Sequence, residues 1–459
     1  MPLFVITHQV THSSKDKSMA QTVLNFSIAS TDERLTSRSG EIVFGEYLKA
    51  IGVDKLCDTY LPQAQSNRGY APFNFIQPLL LMMHSGGRSL DDLRMIQSDT
   101  AMKEILHVKN VPTADGTGKW LKRHGLIGMY GIESINQTLL KRYLKRIDEP
   151  IVLDIDASVI ESHKSTAAYT YKMFPGFTPM IGHINGGYII HSEFRSGNIA
   201  PADNNLTFIQ RCEAQLPQEK KVAYVRADSA SYQAKLFDYC QNNTITYTVG
   251  AHLDSAVLKS INKIEKWETL RAHEGKTHHV KEEVAEFIHT MNHTNHAFRL
   301  IVTKKTTTPI LPGLEKIFTE EELLTYASER YHVIATNADE EEMSMQDVVM
   351  FYRKRGDTSE NRIKELKNGF NLKYLPTSDF IANAFYFSIG VLAYNLFVLF
   401  KETLQQSWQR HTIQTLRYKL YNIAGKVITH SRQTILKVNE QFVGLLEDIR
   451  EKSYKISLE

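Results

Sequence analysis

The chain has 459 residues, 42% of them hydrophobic and 23% charged, which is long enough for roughly two to four domains with apolar cores. A formal net charge of +3 gives no bulk signal for nucleic acid, so any such signal must be local. The 3 scattered cysteines, without a CxxC pair, exclude a disulfide framework, and we expect a reducing, cytoplasmic location. The N-terminus lacks the cationic start and apolar core of a secretory signal.

The first third of the chain is predicted to be helical. Residues 1–40 are polar and predict an irregular arm, whereas 41–147 carry apolar residues at three- and four-residue spacing. The segment "VPTADGTGKWLKRHG" (111–125) predicts a turn followed by a short basic helix. The basic residues considered for DNA contact are Lys119, Lys122 and Arg123. This pattern suits a helix-turn-helix module, although any helical domain with an exposed basic face would look the same.

At about residue 150 the sequence changes to β-branched, apolar strands. Over 148–250 the order is strand, strand, strand, helix, strand, helix, strand, which predicts an α/β domain with a mixed sheet. Residues 251–329 predict a β-rich insertion, and the core resumes over 330–402. The last region, 403–459, predicts a helix followed by a hairpin.

One apolar segment, "FIANAFYFSIGVLAYNLFVLF" (380–400), is long enough to raise the question of a membrane span. It contains Asn383, Ser388 and Asn395, and it follows a charged segment. We therefore predict a buried core helix, and no membrane among the partners of this protein.

Carboxylates occupy positions where α/β proteins place ligand-binding groups. Asp154 and Asp156 alternate on the strand "PIVLDIDAS", so both side chains project from one face of the sheet. Asp228 follows the strand "KVAYVRA" at its carboxyl end, the edge where open α/β sheets bind ligands. Glu360 lies on a later helix. Acids from two strands and a helix are suited to binding divalent cations such as Mg²⁺, which prefer oxygen ligands.

Each of these acids also has an ordinary structural explanation. A strand-end aspartate commonly caps a turn. Glu360 and Lys364, four residues apart, match a solvated ion pair on a helix. The chain contains neither a P-loop nor a GxGxxG motif, so nucleotide-driven chemistry has no support.

Three segments in chain order, "LDIDAS", "VRADSA" and "FYRKRGDTSENRIKELK", resemble the DDE transposases of bacterial insertion sequences. The similarity is to the group with a Tyr-Arg-Glu-Lys signature, and it implies a ribonuclease H-like catalytic core. It assigns the catalytic, metal-binding acids to Asp156, Asp228 and Glu360, with Asp154 as the alternative first aspartate. The implied cofactor is a pair of Mg²⁺ ions, for which Mn²⁺ substitutes.

The resemblance also implies phosphate-binding partners around the glutamate, which are Tyr352, Arg355 and Lys367. This chain has four residues between Arg355 and Glu360 where the signature has three, whereas the interval from Glu360 to Lys367 is as expected. Basic residues exceed acidic ones by four over 351–374, so positive charge is concentrated there. Arg362 belongs to this group of predicted DNA-binding residues.

Aromatic and histidine residues of the insertion allow two interpretations each. Relatives stack a flipped base on a tryptophan of the insertion, which makes Trp267 a candidate, and the alternative is a core tryptophan of a β subdomain. The histidines of "HTMNHTNH" could bind a metal, but they lack a Cys or a partner element and are better explained as surface loop residues.

The implied activity is cleavage of double-stranded DNA at the ends of an element and joining of the 3′-hydroxyl ends to target DNA. The implied partners are the terminal repeats, target DNA and a second copy of the chain, in the cytoplasm of a bacterium at the nucleoid. Two alternatives remain open: a catalytically silent DNA-binding protein descended from a transposase, and a ribonuclease H-like nuclease without strand transfer.

Overall fold

The computed structural model describes residues 24, 26–66, 69–270, 280–294, 296–307 and 328–458. Helices fill the first third, as predicted. Their bounds are α1 (Ser39–Ala50), α2 (Val53–Tyr60), α3 (Phe73–Ser85), α4 (Leu93–Ser98), α5 (Thr100–Ile105) and α6 (Ala114–Leu144). Within the arm expected to be irregular, Arg34–Thr36 forms a strand, β1.

Helix α6 is much longer than the short helix predicted over 111–125. Thr113 caps it by accepting a hydrogen bond from the Gly116 backbone N–H at 3.1 Å, and the helix runs for 31 residues. Gly125 bends it, with φ of 18° and ψ of −103°. The prediction of a short helix was wrong because Ile132 and Ile135 continue a buried apolar face beyond the bend.

The main sheet contains, among the described residues, nine strands in the order β10-β11-β12-β13-β9-β8-β2-β6-β7. The predicted meander and the two strands after it are β2 (Ile151–Ala157), β6 (Met180–Ile184), β7 (Tyr188–Glu193), β8 (Val222–Ala227) and β9 (Thr246–Gly250). β2, β6 and β7 are antiparallel neighbours, whereas β8 runs parallel to both β2 and β9. The crossover helices are α7 (Asn205–Ala214) and α8 (Ala234–Asn242).

The short strands β3 (Ile160–Glu161), β4 (Ala168–Tyr169) and β5 (Pro175–Phe177) form a small separate sheet beside β2. After β9 come α9 (Ser255–Ile261), β10 (Glu268–Thr269), β11 (Val280–His289), β12 (Phe298–Thr307) and β13 (Ser328–Thr336). β13 pairs with both β12 and β9, so the β-rich segment extends the core sheet at its edge. Within the predicted insertion, residues 271–279, 295 and 308–327 lie outside the described residues.

The acid-bearing helix follows β13. It consists of α10 (Met345–Arg355), a π-helical turn (Gly356–Glu360), α11 (Asn361–Lys364) and a second π-helical turn (Glu365–Gly369). We call the whole of it, 345–369, the Glu360 helix.

The prediction of a buried core helix over 380–400 is confirmed. In the part of the chain that the structure describes, one helix, α12 (Phe380–Lys401), is long and apolar enough to span a membrane, and 94% of its apolar window is buried inside the protein. It packs along α6 and α3, and Phe385 lies against Trp120 with ring centroids 5.0 Å apart. The helical region and the sheet therefore share one apolar core.

The predicted C-terminal hairpin is present. After α13 (Ile413–Leu416) it consists of β14 (Gly425–His430) and β15 (Gln433–Val438), followed by α14 (Glu440–Leu458). β14 also pairs with β1, and α14 packs on α1. The two ends of the described chain are thus joined in one small sheet and one helix pair.

Candidate active site

Asp156 and Asp228 lie at the carboxyl ends of neighbouring parallel strands. The register pairs Ile155 of β2 with Ala227 of β8, so the next residue on each strand is an aspartate. Asp228 is held in place because its Oδ1 accepts a hydrogen bond from the Ala230 backbone N–H at 3.1 Å. This edge of the sheet is where the sequence predicted ligand-binding groups.

Asp154, the alternative first aspartate, forms a buried ion pair with Arg226. Arg226 donates to its two carboxylate oxygens at 2.8 and 2.7 Å, and Thr358 donates a third hydrogen bond at 2.8 Å. The side chains of Arg226 and Asp154 are 5% and 3% exposed. Asp154 therefore joins β2 to β8 and to the Glu360 helix. Asp156 is the aspartate that lines a cleft together with Glu360.

Sequence reasoning missed Arg226 as the partner of Asp154. The signal was present, because an arginine within the apolar strand "VAYVRA" requires an acidic partner if the strand is buried. Its guanidinium also donates to the Phe351 carbonyl at 2.9 Å and lies over the Phe351 ring at 4.7 Å. Arg226 thus fixes the position of the Glu360 helix against the sheet.

The π-helical turn Gly356–Glu360 accounts for the unusual signature spacing. A π turn holds one more residue than an α-helical turn, so it absorbs the fourth residue between Arg355 and Glu360 without breaking the helix. Arg355 still reaches the acids: its Nη2 lies 3.2 Å from Asp156 Oδ2 and donates to the Ile155 carbonyl at 3.4 Å. The described salt bridges include none between Glu360 and Lys364, which leaves the solvated-pair explanation of Glu360 without support.

The negative charges of Asp228 and Glu360 both act on Asp156. Burial raises the pKa of Asp156 from 3.8 to about 6, Arg355 opposes the shift, and the negative charges of Asp228 and Glu360 add to it. Burial raises the pKa of Tyr171, and the negative charge of Asp156 raises it further. A cation placed among these acids would relieve the repulsion between them.

The donor set fits a hard divalent cation, because it consists of carboxylates. Among the described residues, however, no three metal-ligating side chains are gathered as a ready-made site. Asp156 is paired with Arg355, and the Arg355 Nε is buried without a hydrogen-bond partner. Metal binding here requires small movements of the acid side chains toward one another.

Glu360 lies between two clefts. One, of about 250 Å³, is lined by Asp156, Ser158, Glu360 and Lys367, and we call it the acidic cleft. The other, of about 400 Å³, is lined by residues of the Glu360 helix and of the extended sheet edge, among them Tyr352, Arg355 and Lys305. A strand of nucleic acid passing Glu360 would therefore meet the acids on one side and basic residues on the other.

Two residues of the predicted signature, Lys367 and Tyr352, lie close to the acids. Lys367 lines the acidic cleft and donates to the Val159 carbonyl at 2.6 Å. Tyr352 is half-buried beside Gly250, where an added Cβ would lie 2.9 Å from the tyrosine hydroxyl oxygen. Glycine at the end of β9 thus lets Tyr352 approach the edge that carries Asp228.

The other predicted DNA-binding residues lie elsewhere. Arg362 faces away from the acidic cleft, toward Gly187 and Tyr394. Trp267 is half-buried, with the Lys304 ammonium 4.5 Å from its ring centroid, so packing at the sheet edge accounts for its position. The predicted DNA-binding residues of α6, which are Lys119, Lys122 and Arg123, are all exposed. Of these, Lys119 forms an ion pair with Asp115 at 2.7 Å.

The histidines of "HTMNHTNH" lie at the end of β11 and in the turn after it. Among the described residues, His289, His293 and His296 belong to no cluster of three or more metal-ligating side chains. Burial lowers the pKa of His289, and its ring packs edge-on against Phe298. Packing thus explains His289 without a metal.

The mixed sheet, with aspartates at the ends of neighbouring strands, is compatible with a DDE, ribonuclease H-like transposase domain. Residues 21–447 match the family described as transposase DDE domain group 1. The chain belongs to this family and is a transposase in the general sense that the family defines. No curated protein matches it.

Proposed function

We propose that this protein is an insertion-sequence transposase that cuts double-stranded DNA at the ends of its element and joins the freed 3′-hydroxyls to target DNA. The observation that carries the proposal is the placement of Asp156 and Asp228 at the carboxyl ends of adjacent strands, with Glu360 lining the same cleft as Asp156. Family membership supports transposition, and the position of the acids supports metal-dependent phosphoryl transfer.

In this proposal Asp156, Asp228 and Glu360 would hold two Mg²⁺ ions, and the chemistry such ions would supply is activation of the attacking oxygen and stabilisation of the leaving oxygen. Arg355 is positively charged beside Asp156 and lines the other cleft at Glu360, where its charge would attract a phosphate. Lys367 contributes a second cation on the other side of Glu360. These groups orient the phosphate and offset its charge.

The substrate is proposed to be the terminal inverted repeats, bound by two copies of the chain. Charge supports binding to duplex DNA, since basic residues surround Glu360 on its helix. The exposed basic side chains of α6, which are Lys119, Lys122 and Arg123, supply a second positively charged surface. A bacterial cytoplasm, at the nucleoid, is the proposed location.

The test uses a plasmid that carries the gene with its natural flanking DNA. Wild-type protein should nick this plasmid in Mg²⁺, and Asp156→Asn, Asp228→Asn and Glu360→Gln should bind it without nicking. Glu341→Gln, which removes an exposed acid outside the cleft, should nick like wild type.

Each outcome separates one of the alternatives. Binding to the flanks with no nicking in Mg²⁺ or Mn²⁺ would identify a catalytically silent DNA-binding protein. Nicking without a joined product would identify a nuclease. Full nicking by the acid variants would show that the assigned residues are wrong.

A further inference from the structure

A third cleft lies beside the Glu360 helix, next to the acidic cleft. It has a volume of about 470 Å³ and is formed by α11, the second π turn and the segment from Phe397 to Gln414. We call the cleft the basic cleft, for the charges that line it.

Its cations are Arg362, Lys364, Lys401 and Arg410. Among the described residues, none of these four forms a salt bridge with a carboxylate. The one acid that lines the cleft, Glu365, accepts a hydrogen bond from the Ile413 backbone N–H at 2.7 Å and so anchors α13. The cleft therefore carries a net positive charge that the protein itself does not neutralise.

Two of these cations are held in place by their neighbours. Arg362 lies against Gly187, where an added Cβ would be 2.7 Å from its Nε, and it hydrogen-bonds Tyr394. Lys401 donates to the Gln409 carbonyl at 3.1 Å, with its ammonium 4.5 Å from the Phe397 ring centroid. Burial and the neighbouring Arg362 lower the pKa of Lys401 to about 8. An anion in the cleft would meet preorganised donors.

The basic cleft adjoins the acidic cleft. Lys364 and Asn368 line both of them, so they form the ridge between the two. The amide side chain of Gln414, which also lines the basic cleft, is suited to hydrogen bonds with phosphate oxygens. The four cations carry more charge than one small anion would neutralise, whereas a nucleic-acid backbone supplies several phosphates.

We propose that the basic cleft binds the phosphate backbone of duplex DNA next to the site of cleavage. This inference rests on the proposed function. The DNA passes from the acidic cleft across Lys364 and Asn368 into the basic cleft, so the segment 401–414 becomes part of the DNA-binding surface.

The test measures binding of a fluorescent 40-base-pair duplex in EDTA over a range of salt concentrations. The double substitution Lys401→Gln with Arg410→Gln should weaken binding about tenfold at 0.1 M salt and reduce the slope of log K against log salt by about 2, near 0.9 for each lost phosphate contact. Arg410→Gln alone, at an exposed position, should show about half of the slope change and checks the result if the double variant is unstable. Lys419→Gln, which removes an exposed lysine outside the cleft, is the matched control.

If the cleft variants bind with the affinity and salt slope of Lys419→Gln, the proposal is wrong. Because the measurement is made without a metal, it does not depend on cleavage. If the wild-type protein shows no nicking, the proposed function is wrong, but the measured DNA binding of the cleft variants still holds. If the cleft variants bind DNA unchanged, only the role of the basic cleft is wrong.

Discussion

The substitutions Asp154→Asn and Asp156→Asn each remove one negative charge from β2, at positions two residues apart. The Asp154 carboxylate accepts three hydrogen bonds, two from Arg226 and one from Thr358, and its side chain is 3% exposed. Asn at this position leaves the Arg226 charge buried without an anion. Removing one partner of a buried pair costs about 3–5 kcal/mol, so we expect that loss in the free energy of unfolding.

The substitution Asp156→Asn is expected to have the opposite effect on the free energy of unfolding. The folded-state pKa of Asp156, about 6, lies above the ordinary 3.8, so the folded protein binds this proton more tightly than the unfolded chain does. Stability therefore falls as pH rises from 3.8 to 6 and stays reduced above that window. At pH 8, Asp156→Asn should be as stable as wild type or more stable, by up to about 3 kcal/mol, and the difference should vanish below pH 4.

Urea unfolding followed by circular dichroism, together with plasmid nicking, measures both effects. We expect Asp154→Asn to lose stability and keep nicking in proportion to its folded fraction, and Asp156→Asn to keep stability and lose nicking. Combining Asp154→Asn with Arg226→Met should cost less than the sum of the single changes, because both partners of the pair are then gone. A stable Asp154→Asn without nicking would refute the assignment of Asp154 to structure and Asp156 to the metal site.

Three other results are expected. Burial raises the pKa of Glu41 from 4.5 to about 7, so stability falls as pH rises through that window, and urea unfolding should find Glu41→Gln about 2–3 kcal/mol more stable than wild type at pH 8 and equal to it at pH 4. Deleting Gly356, where an added Cβ would meet nothing within 4 Å, should remove only the extra residue of the π turn. The melting temperature should then change by a few degrees and the nicking rate by less than about tenfold. Deleting the buried Ile363 should instead abolish both the cooperative thermal transition and nicking. Lys122→Gln combined with Arg123→Gln should lower the salt slope of DNA binding by about 2, and an unchanged slope would remove α6 from the DNA-binding surface.

Patterns local in sequence predicted much of the fold. Alternation and turn residues gave the meander β2–β6–β7 and the C-terminal hairpin, and the apolar run gave α12. The placement of Asp156 and Asp228 at one edge followed from the strand order, because parallel neighbours end on the same side.

Features that depend on distant pairing were not predictable. The Arg226–Asp154 pair depends on the register of β2 against β8, which no local pattern fixes. The length of α6 depends on packing against α12, which begins more than 230 residues later in the chain. The π turn lies where Arg355 and Thr358 contact β2, and these distant contacts are not visible in helical periodicity.

The pairing of β1 with β14 has a consequence for folding during synthesis on the ribosome. Arg34 stands opposite Val427, and its guanidinium donates to Thr429 at 3.0 Å. Proteins are made from the N-terminus and their early regions emerge first. The strand at 34–36 therefore has no partner strand until residues 425–430 have been synthesised, and a chain that stops before them lacks the small sheet that joins β1 to the C-terminal hairpin.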